Sequence, residues 1–365
     1  MFVEGPSTCF NSSAGFTAVA VKMLQHEVKW AQDKPKPTHN DDLPSASPWD
    51  ALVCGLKPDL VQEIATIYGG QHLIPKSRSH MPLNAGEKLR LVVTSADLTN
   101  HSTLYLMASL LIHLHQGDII SLWVVCKGTP DRIRQGQESL PPGAADFRGL
   151  VKDALAERFL ELGDKTDAEI SRRVADLDPH AVFSVGCQQD GDRMGILKDA
   201  VSEGAVVVQG VAHMGPSGFD CIAYTIGDTI TAGSESIGQI IFRDKHLGNV
   251  LAMQQGSFMP NSMDLLLQAN PSLLRDVEAR YTNKALRSAE RTKLNLQAER
   301  KLIVNISQPN RLTAIFFDAI IEILHRCPNT DLVLVDHNPV FRKRIEARFS
   351  KAALDSSFTF CNMPP

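Results

Sequence analysis

Short, nearly unbroken apolar runs alternate with amphipathic stretches through most of this chain. Residues 89–94 form the first such run, with the character of a strand buried on both faces. The pattern then predicts a helix at 103–115 and a strand at 119–126. Residues 127–147, rich in Gly, Pro and charge, read as a surface loop. The alternation resumes with a helix at 148–156, a strand at 158–162, a helix at 166–176, a strand at 181–185, a helix at 193–202, and strands at 205–209 and 221–226. Strand and helix in regular alternation predict a parallel, doubly wound α/β sheet.

Residues 263–300 are highly charged and helical in pattern. Arg275, Arg280, Lys284, Arg287, Arg291 and Lys293 are spaced as on a solvated connecting helix. A second βαβ series comes next: strand 302–306, helix 312–326, strand 332–335, helix 340–350 and strand 358–360. Ile315, Phe316, Ala319, Ile320 and Ile323 give the first of these helices one apolar side. Three strands are about half of a usual sheet. An unpaired edge and an uncovered apolar face are therefore expected, and the natural domain reads as longer than these residues.

Before the first sheet, 14–33 reads as a helix with Val19, Met23 and Val28 on its apolar side. Residues 34–48 are a proline-rich linker, and 58–68 a helix opened by Pro58 and closed by Gly69-Gly70. The expected division is a helical lead-in and linker at 1–87, a first Rossmann-like lobe at 88–262, connecting helices at 263–300 and a partial second lobe at 301–365.

Composition narrows the class without naming it. Hydrophobic residues make up 43% and charged residues 21%, as in an ordinary globular protein. A formal net charge of −4 argues against a general electrostatic grip on nucleic acid or an acidic membrane. The seven cysteines are scattered and lack a CxxC pair, which argues against a zinc site or disulfide framework. Cys126, inside an apolar run, reads as a small buried thiol. A reducing setting, cytoplasmic or nuclear, fits this usage. No apolar run approaches the roughly 20 residues that span a bilayer.

Doubly wound units bind ligands at the carboxyl ends of their strands. The residues after each first strand are therefore the candidates. After the first comes Ser95-Ala96-Asp97-Leu98-Thr99-Asn100-His101, with a carboxylate and an imidazole four residues apart on a strand-to-helix turn. The imidazole could be a general base or could position an acceptor hydroxyl. The same residues also suit a helix N-cap with an incidental histidine. After the first strand of the second series, Gln308 and Arg311 stand at a helix N-terminus, suited to a phosphate or to a cap with a solvated Arg. The turn around Gly215-Pro216-Ser217-Gly218 could bring backbone N–H groups to a ligand, or be only a turn. Dinucleotide, P-loop, zincin and nucleophile-elbow motifs are absent from the sequence.

The ordered set of these segments resembles the catalytic region of the O-linked N-acetylglucosamine transferases. Residues 89–101 resemble the segment that opens it, Leu104-Tyr105-Leu106-Met107 the segment after that, and Asp178-Pro179-His180 the start of a later strand. Gly215-Pro216-Ser217-Gly218, Ser257-Phe258-Met259-Pro260, the stretch from Val304 through Gln308 to Arg311, and Arg326-Cys327-Pro328-Asn329 resemble further segments in the same order. The resemblance implies a GT-B fold with two Rossmann-like lobes. It implies transfer of N-acetylglucosamine from UDP-GlcNAc to Ser or Thr of acceptor proteins, with inversion and without metal or cofactor. By position it places His101 on the acceptor and sugar side, has Asp97 assist proton removal, and gives donor contacts to Gln308, Arg311, Ser217, Gly218 and His180.

Departures from the family's pattern bear on activity. Arg311 stands where the family has Lys, Pro48-Trp49-Asp50 where it often has a histidine pair, and Ala212-His213 where it has Gly and Tyr. The family's uridine and phosphate motif would lie beyond Pro365, and no helical repeats precede the catalytic part. The expected function is thus a nucleotide-sugar transferase, with this chain an incomplete or divergent copy. The alternatives are a non-catalytic remnant that binds protein partners, and a GDP-fucose-dependent protein O-fucosyltransferase.

Overall fold

The computed structural model describes residues 58–70, 82–138, 146–186, 193–210, 215–227, 241–244, 248–252, 282–294, 299–306, 314–336 and 338–361, with 74, 140, 275, 279, 296, 297 and 312 singly. The expected helix at 14–33 and linker at 34–48 lie outside these residues. The chain divides into two compact units, one whose described residues fall in 58–252 and one in 275–361.

The first unit holds helix α1 (Pro58–Gly70), strand β1 (Leu89–Ser95), helix α2 (Ser102–Gln116), strand β2 (Ile120–Cys126), helices α3 (Pro130–Glu138) and α4 (Phe147–Leu155), strand β3 (Phe159–Glu161), helix α5 (Asp167–Ala175), strand β4 (Ala181–Ser184), helix α6 (Lys198–Ser202), and strands β5 (Val206–Gly210), β6 (Ile222–Gly227), β7 (Ile241–Asp244) and β8 (Gly248–Ala252). Its sheet runs β3-β2-β1-β4-β5-β6-β8-β7. All pairs are parallel except β7 with β8. The step from β1 to β4 is where the order reverses direction.

Strand β1 shows why the sheet is buried on both sides. Successive side chains of a strand point to opposite faces. Val92, 1% exposed, joins one core with Val182, Val207, Ile170, Val174, Met194 and Ile196. Val93, fully buried, joins the other with Phe183, Leu104, Met107, Leu111, Val151 and Leu155. Helices α2 and α4 therefore cover one face, and α5, the 3₁₀ turn Met194–Leu197 and α6 the other.

Most expected elements are present with shifted ends, and four differences stand out. The sequence pattern predicts loop over 127–147, yet α3 lies within that stretch. It has Pro at its first position, Asp131 in its first turn and an Arg134–Asp131 ion pair. It has no buried residue, so no apolar stripe announces it. The expected helix at 193–202 opens as a 3₁₀ turn containing Gly195. Strands β7 and β8 have no counterpart among the expected elements. In the span 263–300, α7 (Lys284–Lys293) is helical but residues 299–300 are not.

The second unit adds strand β9 (Lys301–Asn305), helix α8 (Ala314–Arg326), strand β10 (Thr330–Val335), helix α9 (Pro339–Lys351) and strand β11 (Phe358–Cys361). Its parallel sheet runs β11-β10-β9. Leu332 and Leu334 pack with Phe317, Ile320 and Leu324 of α8 and Phe341, Ile345 and Phe349 of α9. Strand β10 is buried throughout, whereas β9 forms an edge with Val304 59% exposed and Ile306, just past it, at 71%.

Candidate functional site

The connection leaving β1 runs to α2 on one face, and the connection leaving β4 runs to Met194–Leu197 on the other. Chains that part in this way open a crevice at the carboxyl edge of the sheet. The loop from Ser95 to His101 lies at that edge, directly after β1.

This loop is packed, not loose. Ala96, Leu98, Thr99 and Asn100 are all buried. The Cys126 thiol donates to the Leu98 carbonyl at 3.5 Å, and the Tyr105 hydroxyl to the Asn100 carbonyl at 3.2 Å. Burial pushes both groups above their ordinary pKa, and the Asp146 charge adds to the effect on Tyr105. The Asn100 amide donates to Gln137 Oε1 and Asp146 Oδ1, each at 3.0 Å, and its carbonyl oxygen accepts from the Arg148 N–H at 3.2 Å. Asp146 in turn caps α4 by accepting from the Gly149 N–H. Its burial favours the neutral form, but the hydrogen bonds from Gly149, Asn100 and Gln137 outweigh it and hold the carboxyl below the ordinary value of 3.8.

Asp97 and His101 come together on this frame. Asp97 is 2% exposed, and its Oδ1 pairs with the Arg132 guanidinium of α3. Its backbone N–H donates to Ser95 Oγ at 3.1 Å. His101 is the N-cap of α2, with its ring partly open to solvent. Its Nδ1 accepts from the Thr103 N–H at 3.3 Å, lies 3.1 Å from Thr103 Oγ1, and stands 4.0 Å from Asp97 Oδ2. Asp97 thus anchors the loop to α3, its buried carboxylate paired with a partly exposed guanidinium; it is not placed as an open base.

Two cations at this edge are not among the sequence candidates. Arg132 sits on the helix that periodicity misses. Lys127 directly follows β2; its N–H donates to the Ser95 carbonyl at 3.1 Å and its ammonium to the Arg193 carbonyl at 3.4 Å. It is 1% exposed, and burying an ammonium is costly without partners. The signal in the chain is a lysine directly after the apolar run Leu122–Cys126 and before Gly128-Thr129-Pro130.

The remaining candidates lie elsewhere. His180 precedes β4, at the amino edge of the sheet. It is 4% exposed, its Nδ1 accepts from the Arg90 N–H at 3.1 Å, and its Nε2 is 3.5 Å from Glu87 Oε1. It is therefore not brought to Asp97 and His101, and its ring pins β1 to β4. Ser217 Oγ accepts from the Phe219 N–H at 3.2 Å, closing a local turn. Gly218 has φ of +70° and lies against α1: a Cβ there would stand 1.7 Å from the Ala65 carbonyl oxygen. Close backbone packing explains this glycine without a ligand. Gln308 and Arg311 lie outside the described residues. Among the described residues no cluster of His, Cys, Asp or Glu suits a metal ion, and no helix is long and apolar enough to cross a membrane.

No family model matches this chain. No curated protein matches it either. Solved structures do. An O-GlcNAc transferase of Thermobaculum terrenum superposes with a TM-score of 0.61 at 13% identity, over 97% of this chain and 59% of that one. A UDP-GlcNAc 2-epimerase from Neisseria meningitidis gives 0.35 at 14% identity, over 76% and 72%. An Anabaena protein solved with UDP and glucose gives 0.37 at 11%, over 76% and 70%. The chain spans 59% of the length of the first of these structures, and the fold likeness rests on that match. The chain has an α/β fold of the GT-B type, with Rossmann-like units in tandem.

Proposed function

We propose that this chain is part of a nucleotide-sugar glycosyltransferase that moves N-acetylglucosamine from UDP-GlcNAc to Ser or Thr of acceptor proteins. The observation that carries the reading is the Asp97–His101 loop, packed at the carboxyl edge beside the β1–β4 step. The likeness to the T. terrenum transferase and the resemblance of residues 89–101 support the same assignment.

In this reading an acceptor hydroxyl attacks the anomeric carbon, the bond to the diphosphate breaks with inversion, and UDP leaves. The hydroxyl proton goes to a base outside Asp97, whose carboxylate is occupied by Arg132. His101 borders the reacting oxygens. The resemblance assigns the departing diphosphate to Gln308 and Arg311, which precede α8 in the sequence, and needs no metal ion there. Ser217, Gly218 and His180 are not assigned donor contacts, because local packing already explains each.

A second reading is favoured by one observation: the engaged Asp97 leaves the described loop without a free carboxylate base. It is a scaffold that binds a nucleotide sugar or protein partner without transfer. Calorimetry with UDP and a donor-turnover assay with UDP-GlcNAc and GDP-fucose separate the readings. UDP binding with turnover of UDP-GlcNAc is expected of the whole protein of which this chain is a part. Turnover of GDP-fucose alone would reassign the donor, and binding without turnover would favour the scaffold. No binding of UDP and no turnover of either donor would remove the transferase reading.

A further inference from the structure

We infer that Arg132 is a positioning residue, which by neutralising Asp97 keeps His101 as a neutral imidazole presenting Nε2–H, so that His101 works at this site as a hydrogen-bond donor and not as the base. The role in transfer rests on the transferase reading; the state of the ring does not.

The geometry leads there in three steps. Nδ1 of His101 accepts from the Thr103 N–H at 3.3 Å, and an atom that accepts must carry a lone pair. The proton of the neutral ring is then on Nε2, because the bond made by one ring nitrogen fixes the other. Nε2–H can hold an oxygen of a hydroxyl, sugar or phosphate, but it has no lone pair with which to take a proton. Asp97 Oδ2 opposes this arrangement from 4.0 Å away, since a bare carboxylate there would draw a proton onto Nδ1 and break the cap. Arg132 supplies the compensating charge on the other carboxylate oxygen. The buried carboxylate is thereby satisfied from α3, and the ring is left to cap α2.

The second Thr103 contact fits the same state. Thr103 Oγ1 lies 3.1 Å from Nδ1, within reach for its hydroxyl hydrogen to be aimed at a bare Nδ1. A ring protonated at Nδ1 would keep the hydroxyl as an acceptor but leave the Thr103 N–H, an orphan of the first helical turn, without its cap.

Long-range proton–nitrogen NMR correlations of the histidine rings test this without substrate, with the His101 signals assigned by their loss in His101→Gln. The wild-type ring at neutral pH is expected to show a bare Nδ1 and a protonated Nε2. In Arg132→Gln the Nδ1 resonance is expected to shift toward the protonated region. The Asp97→Asn, Arg132→Gln double variant should return it to the wild-type position. Arg132→Lys, which keeps charge but not the forked geometry, should lie between. A wild-type ring protonated at Nδ1 overturns the proposal, even if Arg132→Gln does not fold. So does a ring whose resonances are the same in wild type and Arg132→Gln. Failure of UDP binding, by contrast, would count against the transferase reading and leave the ring assignment standing.

Discussion

Cys126 and Cys221 are buried thiols, whereas Cys327 is exposed at the end of α8. Burial pushes the Cys221 thiol up to about 12 and raises Cys126 as well. Thiolate is the reactive form. Native protein should therefore leave Cys126 and Cys221 unmodified by iodoacetamide while Cys327 reacts, with mass spectrometry of the peptides as the readout. Modification of Cys126 at the Cys327 rate would mean that the loop after β1 opens readily. Asp146 carries a pH dependence of definite sign. Its folded pKa is depressed, so its stabilising contribution is present above the ordinary value of 3.8 and lost as pH falls through the lower folded value. Thermal unfolding should show the loss of stability below about pH 4 weakened in Asp146→Asn; an unchanged acid limb would assign that loss to other carboxylates. Asp97 and His101 are legible in the sequence because position after a first strand is itself a signal. Their chemistry is not, since the partners that set it, Arg132 and Thr103, are chosen by folding. For His180 too the motif gives a place along the chain, and folding supplies its partners at the amino edge, Arg90 and Glu87.

Elements are legible wherever burial imposes a period. Strand β1, with apolar side chains feeding two cores, can be read almost to its ends. Helix α3 cannot, because it is built from ion pairs and a proline start instead of an apolar stripe. Its Gly136 discourages a helix reading, yet a Cβ there would press within 3.3 Å of the Asn100 backbone nitrogen, so the glycine lets α3 approach the loop. Gly218 makes a stronger case. It combines φ of +70° with contact against the Ala65 carbonyl of α1. Gly218→Ala should lower the unfolding free energy by on the order of 2 kcal/mol or more in denaturant titration. A change below about 0.5 kcal/mol, ordinary for a surface site, would show that α1 can back away at little cost.

At the scale of the molecule, the two sheets invite comparison. In the first unit the opening strand β1 is paired on both edges, by β2 and β4. In the second unit the opening strand β9 is paired with β10 and lies at the edge of the described sheet. Its three strands and two helices are legible in the apolar pattern, and so is an exposed apolar surface; Val304 and Ile306 carry it. Exposed apolar edges promote association between chains. Val304→Lys with Ile306→Lys should reduce light scattering on concentration while changing the thermal midpoint little, as surface changes do. Equal scattering would place the adhesive surface elsewhere. Stability is also uneven across the first unit, and α3 is where this matters most. This helix has no buried residue, yet it supplies the guanidinium that neutralises the buried Asp97. Segments with little buried contact open more often than the sheet beneath them. Amide hydrogens of α3 should therefore exchange faster than those of β1, and each opening briefly exposes an uncompensated carboxylate beside His101. The order of the site has a lifetime, set by one thin helix rather than by the deep core on which it rests.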